Sequence, residues 1–355
     1  MRILLLILVC GILAATVRAA EPSAAFRAVL LDAQQLDDAR AATLRLAGFN
    51  AVVVRVDDGS ETSRRAIHRA CESAQRHQLP CDFWIEVARC PALADQRPEL
   101  MASLQGHPEW RRFFPKSTEP RDDEVVKTYP WVPIMSREGF DAQLARVTKL
   151  LEGLPTPAGL FLNDLQGAPS ACGCGHPLCR WTTDYGPKRS TAKLGPDAAA
   201  RFVDAVSKAA RVPRVIPVWA TECEAHDKQT LCAGVACYEG LCWKEFVKQL
   251  TPLAERREPL ALLLPFRAFE RDLPIYPDHA GWIREAIELL QTQPTRHRGT
   301  PVPPDRLIAV LQGWDVTHRE VMAQIAQAQL AGAGGFVVSQ VPIDQSWEPR
   351  IMKWK

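Results

Sequence analysis

Two rhythms of hydrophobic and polar positions take turns along this chain. Short apolar or β-branched runs alternate with longer stretches in which apolar residues recur every three or four positions. The first run spans Ala28 to Asp32, and helical spacing follows from Asp37 to Leu46 with a stop at Gly48. Asn50 to Asp57 predicts a second strand and Thr62 to Gln78 an amphipathic helix. Pro80 to Arg89 predicts a third strand; a long connection rich in proline and tryptophan then runs to Pro133, before a helix over Phe140 to Leu151.

The second half keeps the same order. Strands are predicted over Ala158 to Asp164, Arg214 to Glu222, Pro259 to Arg267, Arg306 to Gln312 and Gly335 to Gln340. The first four are followed by helices over Asp197 to Ala210, Trp243 to Arg256, Ala280 to Thr292 and Thr317 to Ala331. Parallel neighbours need a helical crossover between them, so eight such units predict an α/β fold, a single (β/α)8 TIM barrel. Its extra length falls in cysteine-rich insertions after strands four and five. An open doubly wound sheet is the alternative, but no Gly-x-Gly-x-x-Gly follows the first strand and no Walker-type loop occurs, which removes the usual nucleotide signals.

The N-terminus has its own pattern. Met1-Arg2, an apolar run from Ile3 to Ala15 and the small-residue stretch ending Val17-Arg18-Ala19-Ala20 describe a secretory signal peptide over residues 1–20, with the barrel domain occupying 21–355. A secreted or periplasmic protein is expected, with no membrane span once that segment is cleaved. Loss of Arg2 and Arg18 from 43 basic residues leaves 41, against 41 acidic ones. Such a balanced chain carries no electrostatic footprint for nucleic acid.

This alternation, with polar residues at nearly every strand end and a signal in front, resembles the glycoside-hydrolase-like barrel superfamily. The resemblance covers the mature chain through its layout and places it in no characterised family. It implies a sugar-handling site at the C-terminal face of the barrel, with a carbohydrate or glycan as partner.

Reactive groups of such barrels sit at the C-terminal strand ends. Here those positions hold Asp32, Asp57, Glu86, Asp164, Glu222, Arg267, Gln312 with Asp315, and Gln340. Glycoside hydrolysis needs one carboxylic acid to protonate the leaving oxygen and one carboxylate to act as nucleophile or base. Asp164 and Glu222 end neighbouring strands and are the predicted pair, Asp164 as general acid. The predicted substrate-binding set is Asp32, Arg55, Glu86, Arg267, Gln312, Trp314 and Asp315, with Trp314 as a stacking platform for a sugar ring. If Arg55 and Glu86 face the interior, burial requires charge pairing, and the two are expected to pair with each other.

Ten cysteines remain after Cys10 leaves with the signal. Cys90, Cys172, Cys174, Cys179, Cys223, Cys232, Cys237 and Cys242 map to the face where function is expected, leaving Cys71 and Cys81 elsewhere. Two chemistries fit the eight. Export favours disulfides that pin the insertions, while Cys172-x-Cys174-x4-Cys179 with His176 nearby could complete a structural zinc site. No other cofactor is expected. The alternative to a hydrolase is a non-catalytic barrel that binds a glycan or a partner through these stapled or zinc-bound loops.

Overall fold

The computed structural model describes residues 25–101, 124–134, 136–165, 191–220, 251–267, 280–296, 299–343 and 348–353. Eight strands close into a parallel barrel: β1 (Phe26–Asp32), β2 (Ala51–Arg55), β3 (Cys81–Glu86), β5 (Leu160–Asn163), β6 (Val215–Ala220), β7 (Leu260–Leu264), β8 (Leu307–Gln312) and β9 (Gly335–Ser339). Each of the eight coincides with a predicted strand; β1 starts two residues earlier than predicted, and the others are trimmed at their ends. The predicted signal segment, the predicted cysteine-rich insertions and most of the predicted helix over 243–256 lie outside the described residues.

The alternation along each strand sorts its side chains into two apolar layers. Ala28, Leu30, Ala51, Val53, Trp84, Phe161, Ile216, Val218, Ala261, Leu263, Ile308, Val310 and Val337 fill the barrel interior. The intervening residues, such as Val29, Val52, Phe83 and Leu162, pack outward against the helices. Helix α1 spans Asp38–Leu46 and α2 spans Glu61–Arg76. The Ser60 hydroxyl starts α2 by accepting from the Ser63 amide, and Ala66, Ile67, Ala70 and Ala74 form its buried stripe. An Ile67→Ala change there would remove about 2–5 kcal/mol of packing.

Three elements were not foreseen: α3 (Pro91–Gln96), and strands β4 (Glu124–Tyr129) and β10 (Glu348–Lys353), which pair antiparallel as a separate two-stranded sheet. They lie in the segments read as a long connection and as the tail beyond the last strand. Local periodicity does not reveal β4 because its partner comes from the far end of the chain. Among the described residues, beside a helical turn over 251–254, the outer layer continues with α4 (Arg137–Leu151), α5 (Thr191–Ala210), α6 (Gly281–Arg296) and α7 (His318–Leu330).

The N-terminal floor of the barrel is sealed by one ion pair. Asp82, fully buried, accepts from Arg214 Nη2 at 3.2 Å, and the guanidinium also lies 5.5 Å from the centre of the Phe26 ring. A Cβ on Gly159 would come within 2.5 Å of Asp82 Oδ1, so glycine alone lets the pair close. Burial pushes the Asp82 carboxyl above its ordinary value, and Arg214 opposes that shift.

Candidate functional site

The inward positions at the opposite, C-terminal end are polar. Counting by twos from the interior residues gives Asp32 on β1, Arg55 on β2, Glu86 on β3, Asn163 on β5, Gln312 on β8 and Ser339 on β9. Parity therefore brings Asn163 to the mouth in place of its neighbour Asp164. Asp57 continues the inward parity of β2 just past its last residue.

Strand register decides who pairs with whom. Asp32 stands opposite Arg55, and Arg55 stands opposite Trp84, two residues short of Glu86. Arg55 Nη2 accordingly bonds Asp32 at 2.9 Å, and its Nε lies 3.1 Å from Asp57 Oδ2. Glu86 stands opposite Asn163 and takes Asn163 Nδ2 at 2.8 Å and Trp84 Nε1 at 2.7 Å. The expected Arg55–Glu86 pair is corrected on this point: both residues face inward, but the stagger of the strands gives each of them different partners.

Glu86 is thus fixed by two neutral donors, one on each oxygen. Burial of the Trp84 ring and its stacking on Phe161, with centroids 5.9 Å apart, fix the position from which its N–H donates. Beneath them Arg146 of α4 bonds the Glu86 and Val87 carbonyls at 2.5 and 3.0 Å, and Gln143 Oε1 at 2.8 Å. Burial pulls this guanidinium below its ordinary value, while Cys90 and Glu86 pull the other way.

A cavity of about 290 Å³ opens in front of these groups, lined by Arg55, Asp57, Glu86, Arg89, Cys90 and Arg146 among others. That volume is near the lower end of the roughly 300–1,000 Å³ typical of small-molecule sites, enough for a short ligand. Asp57 reaches into it with its carboxyl half exposed. Burial pushes the Asp57 carboxyl above its ordinary value; Arg55 pulls it down, and the charges of Asp32, Glu86 and Asp58 push it up.

The remaining predicted residues separate. Asp164 is buried, has a left-handed backbone with φ of 59°, and accepts the Ala88 amide through its carbonyl; it does not line this cavity. Glu222 lies outside the described residues. Arg267 is half exposed and pairs with Glu320 at 2.7 Å, the capping glutamate of α7, while its amide donates to Gln312 Oε1 at 2.9 Å. Gln312 is committed further: its Nε2 donates to the Trp314 carbonyl, and Gln324 of α7 clamps its own amide and carbonyl. Both residues tie β7, β8 and α7 together at the rim.

Trp314 is half-buried against the barrel interior, and Asp315 beside it is exposed with φ of 52°. Cys90 is a buried thiol at the start of α3. The other seven cysteines proposed for disulfides or zinc lie outside the described residues. Among the described residues no group of three or more His, Cys, Asp or Glu could hold a metal ion, and no helix is long and apolar enough to cross a membrane.

Sequence reasoning missed Asn163, Trp84 and Arg146 as supports of Glu86. A signal for Arg146 was present: it shares a helical face with Gln143 and Leu150, which α4 buries. Asp57 was visible as a strand-end acid, but was passed over in favour of acids on later strands.

No family model matches the chain, and no curated protein matches it. Solved structures do align with it. The endo-1,4-beta-D-mannanase of Thermotoga petrophila RKU-1 is 10% identical, covering 89% of this chain and 88% of that one, with a TM-score of 0.47. The beta-galactosidase of the psychrophilic Marinomonas ef1 is 11% identical over 90% of this chain and 55% of its own, with a TM-score of 0.46. An HpcH/HpaI aldolase from Desulfitobacterium hafniense DCB-2 is 11% identical over 89% and 86%, with a TM-score of 0.35. The closed eight-stranded parallel barrel is established by the strand pairing of this chain itself. A barrel of this kind does not carry chemistry with it.

Proposed function

We propose that this chain is a glycoside-hydrolase-like barrel that acts on a carbohydrate at the mouth formed by β1, β2, β3 and β5. Asp57 serves as the proton donor: although half of its side chain stays open, loss of solvent on the inner side and the charges of Asp32, Glu86 and Asp58 push its carboxyl up against the pull of Arg55, in the direction of the protonated form a leaving oxygen needs. Glu86, oriented by Trp84 and Asn163, faces the same cavity as the second carboxylate, acting as nucleophile or base. Arg55 positions Asp57 and links it to Asp32. The observation that carries this reading is that Asp57 and Glu86 line one cavity, where the Glu86 charge helps to raise the Asp57 carboxyl.

The pair Asp164 with Glu222 is the rival assignment on the same barrel. Secretion or a periplasmic location, and insertions pinned by disulfides or by a structural zinc ion, belong to this reading; a further cofactor and a nucleic-acid partner do not. A glycan-panel activity screen on the mature chain tests it, repeated with Asp57→Asn and Asp164→Asn. Loss of turnover in the first variant alone supports the site described here, and loss in the second alone supports the rival. Glycan binding with no cleavage of any panel member would instead favour a non-catalytic binding barrel.

A further inference from the structure

Cys71 and Cys81 are the two cysteines that the sequence layout set apart from the others, and the fold brings them together. Their Sγ atoms lie 3.0 Å apart. Cys71 stands on α2 and Cys81 is the first residue of β3, both half-buried against the layer between sheet and helices. We propose that this pair is a built disulfide site, which closes when the chain meets a disulfide donor.

The frame around the pair is rigid. Cys81 is held in the barrel by its register with Val52 and by its carbonyl, which accepts the Ala158 amide at 2.9 Å. The turn between the two cysteines is fixed by amides of His77, Gln78 and Leu79 bonded to the carbonyls of Ala74 and Gln75, with Gln78 at φ of 55°. Closing from 3.0 Å to a bond of about 2.05 Å asks for roughly 1 Å of approach by the two sulfurs. The thiol of Cys81 is pushed well above its ordinary value, first by its hydrogen bond with Cys71 and then by burial. The raised value keeps Cys81 in its thiol form and slows its own attack on a donor; what places the pair for exchange is the 3.0 Å between the two sulfurs.

The reaction balances as thiol–disulfide exchange. One thiolate attacks an oxidised small-molecule disulfide, forming a mixed disulfide and releasing one thiol. The second cysteine then displaces the remaining donor sulfur. The Cys71–Cys81 bond forms, the donor's S–S bond breaks, and two electrons and two protons end on the two donor thiols. The bond would staple α2 to the N-terminal end of β3, whose other end presents Glu86. It is independent of the chemistry proposed at the mouth.

Peptide mapping decides the matter. The full mature chain is reduced, exposed to oxidised glutathione, alkylated after denaturation without reductant, and digested. The proposal expects a linked peptide carrying Cys71 and Cys81. In Cys71→Ser, Cys81 becomes open to alkylation or is recovered as its glutathione adduct, and Tm falls by about 3–6 °C relative to the oxidised parent. Alkylation of both cysteines in the oxidised parent, a link from either to another cysteine, or protection of Cys81 by another protein sulfur in the variant would each overturn it.

Discussion

The two ends of this barrel use the same ingredients to opposite ends. At the floor, one carboxylate and one arginine meet where water does not reach Asp82, under the Phe26 ring and against the bare backbone of Gly159. At the mouth, Arg55 divides itself between Asp32 and Asp57, Glu86 is held by neutral donors, and a cavity stands in front of them. Both Asp82 and Glu86 belong to β3. A charge that is sealed and singly paired depends on its partner, whose loss would leave it buried and uncompensated, whereas one that is oriented but left facing a cavity is available to a ligand.

The comparison is sharpened most by Asp57→Asn. It should lower turnover of a cleaved glycan by about 10²–10⁴-fold, the range expected for loss of a proton donor, with Tm nearly unchanged. In the parent, activity should fall as pH rises through the Asp57 pKa, which lies above the ordinary 3.8. A pH–rate profile checks this limb. A fall only on the acid side would remove Asp57 from the donor role.

Arg214→Ala is the matching change at the floor. It should cost about 2–4 kcal/mol, somewhat less than a fully buried pair because Arg214 is one-third exposed, and leave the activity of the folded protein intact. The sign with pH follows from Asp82, whose folded value is raised above 3.8. Between the unfolded and folded values the folded chain binds more protons, so stability falls as pH rises through that window. Without Arg214 the folded value rises further, and the deficit should be largest near neutrality and shrink on acidification. Urea unfolding at several pH values reads this directly, and a deficit that grows in acid would contradict it.

Smaller effects should come from the rim. Trp314→Ala tests the stacking platform expected from the sequence: if a sugar ring rests on it, KM rises by about 3–10-fold with kcat little changed, and a parent-like KM leaves it as packing against the barrel interior. Arg267→Ala removes a half-exposed ion pair with Glu320 and should cost less than about 1 kcal/mol in thermal unfolding. If Arg267→Ala abolished activity, the rim would belong to the site and the division between the two ends would be drawn in the wrong place.

Much of this was legible in the sequence, for identifiable reasons. The eight barrel strands are apolar runs broken by polar ends, so their positions follow from local pattern. Asp32, Arg55 and Glu86 could be read as strand-end groups for the same reason. Partner choice was not legible, because it depends on stagger: nothing local says that Arg55 faces Trp84 while Glu86 faces Asn163. Asp164 is the last acid of its run, but the alternation of β5 brings Asn163 to the mouth in its place. The β4–β10 sheet escaped because its two strands are joined only through the closed barrel between them.

The central claim is that the mouth of the barrel, through Glu86 and Asp57, is where a carbohydrate is processed. Measuring kcat/KM of Glu86→Gln on a glycan that the parent cleaves tests it most directly, with Tm recorded on the same sample. We predict a loss of at least about 100-fold at nearly unchanged Tm. Parent-like turnover in that variant would contradict the account.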